Sequence, residues 1–230
     1  MMAPRHGHHL RVISYNVHGL RDDLAALHHA IKDLAPDVLL LQEAPRRLRW
    51  RHKCAALAHS LGLVVAAGGQ PALGNLILVD LRVTVKDSGA MRFPHTPGRH
   101  LRGAAFVRGL VAGAPFNAVA SHLGTDPAER PGHARLLAEA IAERSDPVLL
   151  GVDINEEPGG PSWQALLTGR LRDPAGAQPA APTFPAGRPS RRIDAVLVDE
   201  RLTVDSYAVV DTPAVRQASD HLPVVADLQF

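Results

Sequence analysis

Nearly half of the apolar residues lie in eleven short runs, each four to nine residues long. Runs of this length, rich in Val, Leu and Ile and separated by turn residues, predict β-strands. None approaches the roughly 20 apolar residues that a membrane span requires, so we expect no membrane span. The runs cover residues 11–17, 37–41, 63–67, 75–79, 82–85, 104–111, 116–123, 147–152, 192–198, 202–210 and 222–230.

Helical patterns lie between some of these runs. Residues 22–34 carry leucine and isoleucine at helical spacing, and Pro36 follows. Residues 52–62 repeat the pattern and end with Gly62, and two further helices are predicted, one from about residue 126 or 131 to 144 and a shorter one at 162–167. The four runs between residues 75 and 123 have no helix between them and favour antiparallel strands. The sequence therefore predicts an α/β (α+β) fold of mixed sheets covered by helices.

Length and composition limit the organisation. With 230 residues, 46% hydrophobic and 21% charged, the chain fits one core. We expect a flexible N-terminus over residues 1–10, one domain over residues 11–230, and a loop over the Pro- and Gly-rich residues 173–191 that is mobile or wraps over a site.

Cys54 is the only cysteine, which excludes a disulfide framework and a cysteine zinc site. Residues 1–10 lack the apolar stretch of a secretory signal, so we expect a cytoplasmic protein.

One apolar run, residues 147–152, leads directly into Asp153 and Asn155. An unpaired buried carboxylate costs several kcal/mol, so we expect Asp153 at the end of this strand with a partner. Residues two apart on an extended segment point the same way, and both side chains would face one cleft. The alternative is a turn in which the two side chains bond the local backbone before Pro158.

The same arrangement recurs at other predicted strands. Taken singly, each polar side chain could be a turn residue, a solvated charge or a structural histidine. Polar and titratable groups that converge from separate strands mark functional sites. The further candidates are Asn16, Glu43, His122, Asp194, Asp220 and His221.

The chain carries an ordered series of short motifs, namely SYNVHG, LQE, GNLIL, SHL, GVDIN followed by EEP, TF at residues 183 and 184, RIDAVLV and SDHLPV. In this order the motifs resemble those of the endonuclease/exonuclease/phosphatase superfamily, which includes DNase I-like nucleases and exonuclease III-type enzymes. The resemblance extends from about residue 11 to residue 230. It implies a DNase I-like four-layer sandwich of two packed mixed β-sheets flanked by helices, and metal-dependent hydrolysis of phosphate esters.

The resemblance also implies a metal site. Glu43 matches the glutamate that binds the ion, and Asn16 and Asp220 would lie near the same ion. Mg²⁺ is the expected cofactor, with Mn²⁺ as a substitute, because carboxylate and amide oxygens suit these ions.

Five further residues match catalytic positions of the superfamily. Asp153 would orient or deprotonate the attacking water, and Asn155 would contact the phosphoryl oxygens. His221 would lie at the scissile phosphate, with Asp194 fixing its tautomer. His122 would protonate or hold the leaving oxygen. Asp153 and the Asp194–His221 pair remain competing candidates for the general base.

Two more residues are assigned to substrate binding, Arg102 as a phosphate contact and Asn75 as a residue that supports the cleft. DNase I-like nucleases carry a glutamate paired with the first histidine where this chain has Gly74-Asn75. His122 is therefore expected to lack that orienting group. The predicted substrate is a phosphate ester: DNA or RNA held by its backbone, a nucleotide-like diester, or a phosphorylated small molecule or lipid head group.

Residues 46–53, RRLRWRHK, form the densest basic cluster. They could bind phosphates, or reflect a general preference for arginine, since 22 arginines stand against three lysines. Two rival functions are a non-catalytic nucleic-acid-binding module on the same fold and a zinc hydrolase. The intact set of candidate catalytic residues disfavours the first, and the absence of suitably spaced histidine pairs disfavours the second. No obligate protein partner is inferred.

Overall fold

The apolar runs form two six-stranded β-sheets in the computed structural model, which describes residues 7–176 and 181–230. The strands are β1 (His9–Asn16), β2 (Val38–Gln42), β3 (Val64–Gly68), β4 (Leu76–Val79), β5 (Val83–Arg92), β6 (Gly103–Val111), β7 (Ala114–His122), β8 (Val148–Asp153), β9 (Leu171–Arg172), β10 (Asp194–Asp199), β11 (Thr203–Val209) and β12 (Val224–Gln229). The helices are α1 (Leu24–Leu34), α2 (Trp50–Leu61), α3 (Arg130–Ala142), α4 (Pro161–Leu166) and α5 (Pro213–Ala218).

Both sheets are mixed, as the sequence predicts. The first sheet has the order β11-β12-β1-β2-β4-β3 and the second has the order β5-β6-β7-β8-β10-β9. Of the strand pairs in the described residues, β1/β2 and β7/β8 are parallel and the others are antiparallel. The predicted antiparallel pairing is therefore correct for all four strands of the middle. Strands β5, β6 and β7 pair in the second sheet, whereas β4 pairs antiparallel with β2 and β3 in the first. The parallel step from β7 to β8 uses α3 as its crossover.

Three apolar layers hold four layers of structure together. Residues such as Leu40 and Leu149 fill the space between the two sheets. A second layer, including Ile31, lies between the first sheet and α1, α2 and α5. A third, including Leu137 and Trp163, lies between the second sheet and α3 and α4. This arrangement confirms the predicted four-layer α/β sandwich.

Helix ends follow local capping chemistry. Helix α1 begins at Leu24, two residues later than predicted, because the Asp23 carboxylate accepts the backbone N–H groups of Ala25 and Ala26. Gly62 ends α2 in the left-handed conformation, as expected for a C-terminal glycine. Helix α5 is absent from the sequence prediction, although Thr212 caps it and Pro213 opens it.

Two predicted segments fall partly outside the described residues. The segment 1–10 includes residues 1–6, which are not described, while β1 begins at His9. The predicted loop 173–191 includes the undescribed residues 177–180; beyond them, the Thr183 hydroxyl accepts the backbone N–H groups of Ile193 and Asp194. No helix in the described ranges is long and apolar enough to cross a membrane.

Candidate active site

Three candidate residues form one row across the second sheet. His122 ends β7 and lies opposite Asp153 at the end of β8, and Asp153 lies opposite Asp194 at the start of β10. Directly opposed residues on neighbouring strands project their side chains to the same face. Strand register alone therefore brings the three side chains together.

Asp153 is the centre of this group and is only 1% exposed. Its Oδ2 atom accepts a hydrogen bond of 2.9 Å from the Asn16 amide, which belongs to the first sheet. Its Oδ1 atom accepts the Asn155 backbone N–H at 3.0 Å, and its Oδ2 atom lies 3.2 Å from His122 Nε2. The prediction that Asp153 has partners at the end of its strand agrees with these contacts.

Burial and the nearby Asp194 carboxylate raise the pKa of Asp153, because both disfavour its charged form. His221 and the hydrogen bond from Asn16 oppose these effects, and the pKa of Asp153 is about 7. A carboxyl group in this range can exchange a proton near neutral pH, which is the property that general base catalysis requires.

His221 is held by Asp194. The two carboxylate oxygens of Asp194 lie 2.9 and 3.1 Å from His221 Nδ1. Burial by itself lowers the pKa of His221, but the charge and hydrogen bond of Asp194, together with Asp153, raise it to about 10. His221 is therefore an imidazolium at neutral pH, with Nδ1–H donated to Asp194 and Nε2 3.9 Å from Asp153 Oδ2. The Phe184 ring lies 4.8 Å from the imidazole.

His122 has the opposite electrostatic character. Burial, with contributions from Arg102 and His221, lowers its pKa well below the ordinary value, so its imidazole is neutral. The Asn155 amide nitrogen lies 2.9 Å from its Nε2 atom, and Glu43 Oε1 lies 3.9 Å from its Nδ1 atom. His122 therefore has orienting partners other than the glutamate that Gly74-Asn75 replaces.

Glu43 and Asp220 line the same cleft, which has a volume of about 740 Å³ and also includes His122 and Arg102. The Glu43 and Asp220 side chains are 34% and 39% exposed. Glu43 and Asn155 have φ angles of 56° and 57°. Such left-handed conformations are uncommon for residues other than glycine and concentrate at functional sites.

Two sets of side chains could hold a divalent cation. In the first set, the Glu43 carboxylate accepts no hydrogen bond from the described residues. Asp220 Oδ1 accepts only a long hydrogen bond of 3.5 Å from the Ser219 hydroxyl, and Asp220 Oδ2 lies 3.9 Å from His18 Nε2; partly exposed carboxylates of this kind fit Mg²⁺. In the second set, Asp153, Asp194 and His221 place ligand atoms within 4.8 Å of one another. Those atoms already form short hydrogen bonds with protein groups, so the more exposed carboxylates of Glu43 and Asp220 provide the better fit.

The two predicted substrate-binding residues have different positions. Arg102 directly precedes β6, lines the cleft and is 8% exposed, yet its guanidinium forms no hydrogen bond with any described residue. Asn75 is buried, and its amide nitrogen donates to the carbonyls of Ala72 and Gly103. Asn75 therefore supports the loops around the cleft, and both of its amide hydrogens are used.

The cleft contains basic residues that the sequence did not assign to the site. Some belong to the 46–53 cluster, whose density was visible in the sequence. His18 belongs to the SYNVHG motif but was not assigned a role, and the remaining two lie in segments with no distinctive pattern. The additional residues are His18, Arg21, Arg46, Arg47, Lys53 and His100.

A four-layer α/β sandwich with a buried Asp–His pair, beside a cleft lined by a second histidine and two partly exposed carboxylates, defines a DNase I-like hydrolase. The model of the Endonuclease/Exonuclease/phosphatase family matches residues 13–221, and the chain belongs to this family. Family membership confirms the predicted resemblance and the prediction of a phosphate-ester hydrolase.

Solved structures share the fold. The mannosyl-6-phosphatase of Bacteroides thetaiotaomicron has a TM-score of 0.80 and 19% identity, covering 96% of this chain and 100% of that chain. D. rerio TDP2, complexed with single strand DNA product, has a TM-score of 0.78 and 20% identity, with coverages of 96% and 99%. The human Nocturnin catalytic domain has a TM-score of 0.78 and 18% identity, with coverages of 96% and 94%. No curated protein matches the chain.

Proposed function

We propose that the protein is a Mg²⁺-dependent phosphodiesterase that cleaves a nucleic acid or a nucleotide-like diester by in-line attack of water. The observation that carries this proposal is the pairing of Asp153, whose pKa is about 7, with the His221 imidazolium beside a basic cleft. A phosphodiester resists attack because it is anionic, so cleavage needs positive charge, an activated water and a donor for the leaving oxygen.

The residues proposed to hold the ion are Glu43 and Asp220, with Asn16 beside them. When bound, Mg²⁺ would neutralise phosphate charge and stabilise the charge that develops during attack. Asn16 also donates to Asp153 at 2.9 Å, so it links the metal side of the cleft to the second sheet. Mn²⁺ would serve the same donor set.

The pKa values favour one of the two candidate bases. A base must be unprotonated before the reaction, and the His221 imidazolium is already protonated at neutral pH. We therefore assign proton removal from water to Asp153. His221, fixed by Asp194, would donate its Nε2–H to a phosphoryl oxygen.

Two further residues complete the proposed site around the leaving group. His122 is neutral, which favours a hydrogen bond to the leaving oxygen over full proton transfer. The Asn155 amide contacts His122 at 2.9 Å and would also face the phosphoryl oxygens. Buried Arg102, without a hydrogen-bond partner in the described part of the chain, would bind the substrate phosphate.

Other substrates and functions lead to different expectations. A phosphatase or phosphodiesterase acting on a phosphorylated small molecule or lipid head group would use the same residues but would prefer small substrates. One structure with this fold is a mannosyl-6-phosphatase. A non-catalytic nucleic-acid-binding module would need none of the Asp153–Asp194–His221 geometry. The cytoplasmic location and the absence of an obligate partner stay predictions.

Hydrolysis of bis-p-nitrophenyl phosphate and p-nitrophenyl phosphate, with Mg²⁺ and with EDTA, tests the proposal. The diester should be cleaved faster, and chelation should remove the activity. Glu43→Gln and His221→Asn should each lower kcat by about 100-fold or more. Glu200→Gln and His59→Asn, which change exposed residues of the same types, are the matched controls. Undiminished turnover in the two site variants would contradict the assignment.

A further inference from the structure

The cleft holds more positive charge than one phosphate and two carboxylates require. Its acidic residues are Glu43 and Asp220. A divalent cation bound to these two carboxylates would balance their negative charge. The positive charge of the arginine and lysine side chains in the cleft would then remain uncompensated. Among the described residues, five cationic side chains line the cleft, namely Arg21, Arg46, Arg47, Lys53 and Arg102.

Arg46 is held in the part of the cleft that lies next to His122 and Arg102. Its Nη1 atom donates to the Leu73 carbonyl at 2.9 Å and lies 3.4 Å from the Leu101 carbonyl, which fixes the guanidinium across the cleft wall. Burial lowers the pKa of both His122 and Arg102, and the positive charge of Arg46 lowers both pKa values further. Arg46 therefore belongs to the scissile-phosphate site and not to a separate one.

Arg47 and Lys53 line the cleft and are exposed. Within residues 7–176 and 181–230, neither forms an ion pair or a side-chain hydrogen bond. Their charges are thus free to meet an anion.

The helix that carries Lys53 adds to this potential. Lys53 lies in the first turn of α2, which has no side-chain cap and no acidic residue in that turn. The N-terminal end of a helix carries a partial positive charge and favours anions. Backbone and side chains therefore act in the same direction on this wall of the cleft.

We infer that Arg47 and Lys53 form a second anion subsite, distinct from the scissile-phosphate site at Arg102, that binds a neighbouring phosphate of the same substrate. This inference rests on the proposed function. The ligand chemistry is a phosphate linked covalently to the scissile one: the next phosphodiester of a single strand, or a second phosphate on a small molecule. Two contacts outside the catalytic group would make the enzyme prefer polyanions to simple esters.

Binding of fluorescently labelled phosphorothioate pentathymidylate, measured by anisotropy in Mg²⁺, tests the inference. Arg47→Gln/Lys53→Gln should weaken binding of this probe by about tenfold or more, while inorganic phosphate, measured as an inhibitor of bis-p-nitrophenyl phosphate hydrolysis, should lose far less. Loss of the contact with this one neighbouring phosphate of a single strand should also reduce the slope of log affinity against log salt by about 0.7. The matched control is Arg135→Gln/Lys86→Gln, which removes two exposed charges elsewhere.

Inositol 1,4-bisphosphate as a competitor distinguishes the two sources of the second phosphate. One outcome supports a small-molecule bisphosphate: pentathymidylate binds weakly, inositol 1,4-bisphosphate displaces it, and the double substitution weakens that displacement. Strong pentathymidylate binding with the same sensitivity would support a nucleic acid strand. The inference is overturned if the double variant and its control bind both probes alike. Failure of the proposed function is a separate result: no Mg²⁺-dependent diester hydrolysis by the wild type, with the anisotropy response intact.

Discussion

Replacing Gly151 with alanine should destabilise the protein, because the two sheets approach each other closely at this residue. A Cβ atom at position 151 would lie 2.7 Å from both Cβ and Cδ1 of Leu40 and 3.0 Å from Cβ of Ser14. Carbon atoms pack best at about 3.5–4.0 Å. The facing strands of the two sheets would therefore have to separate by about 1 Å. Overpacking of this kind costs about 1–3 kcal/mol.

Thermal unfolding measures this effect. In a domain of this size, 1 kcal/mol shifts Tm by about 2–4 °C, so Gly151→Ala should lower Tm by about 2–12 °C. Gly132→Ala is the matched control, because a Cβ at residue 132 of α3 would meet nothing within 4 Å. There the same substitution favours the helix by about 0.5–1 kcal/mol and should raise Tm by about 1–4 °C.

Activity provides a second readout of the same substitution. Gly151 lies two residues before Asp153, on the strand whose end must remain in hydrogen-bond contact with Asn16 of the other sheet. Separation of the sheets should lengthen this contact and lower kcat in Gly151→Ala, while Gly132→Ala should retain kcat. Equal melting temperatures for Gly151→Ala and the wild type would refute the argument, because they would mean that the sheets absorb the added methyl group without cost.

Three other predictions concern charge and burial. Because Asp194 raises the pKa of His221 from 6.5 to about 10, the stability due to this pair is complete below pH 6.5 and is lost as pH rises towards 10; in EDTA, the Tm difference between wild type and Asp194→Asn should shrink over that range. Burial raises the pKa of the Cys54 thiol to about 11, so Ellman's reagent should react only after urea unfolding. Arg130→Met breaks a buried ion pair with Glu156 and should lower the free energy of unfolding by about 3 kcal/mol in urea titrations.

Most strands could be predicted from the sequence because they are buried on both faces and therefore consist of continuous apolar runs. Such a run can be recognised whichever sheet the strand joins. The sequence could not assign β4 to the first sheet, since NLILV fits either sheet equally well. Helix α5 was missed although Thr212 and Pro213 carried a capping signal. Its buried residues are only Val215 and Ala218, a weaker apolar pattern than the tryptophan and leucine that α4, equally short, buries. Two-residue β9 had no pattern to detect.

The candidate site was partly predictable for a related reason. Residues such as Asp153 stood out because a polar group directly follows a buried run. Arg21 and His100 did not, because exposed loop residues acquire a role only from the elements that the fold brings beside them. The pKa values that favour Asp153 over His221 as the base depend on distances between strands far apart in sequence. No local pattern contains those distances.

The geometry of the site depends on how the two sheets pack two residues before the site residues on the same strands. Ser14 and Leu40 are register partners in the first sheet, and both pack against Gly151 of the second. Two residues further along β1 and β8, on the same faces, Asn16 meets Asp153 at 2.9 Å. The close contact of small and apolar groups therefore sets the separation at which the polar groups meet. A one-residue slip of any of these strands would turn its polar side chain to the opposite face, so the register that buries the core also assembles the site.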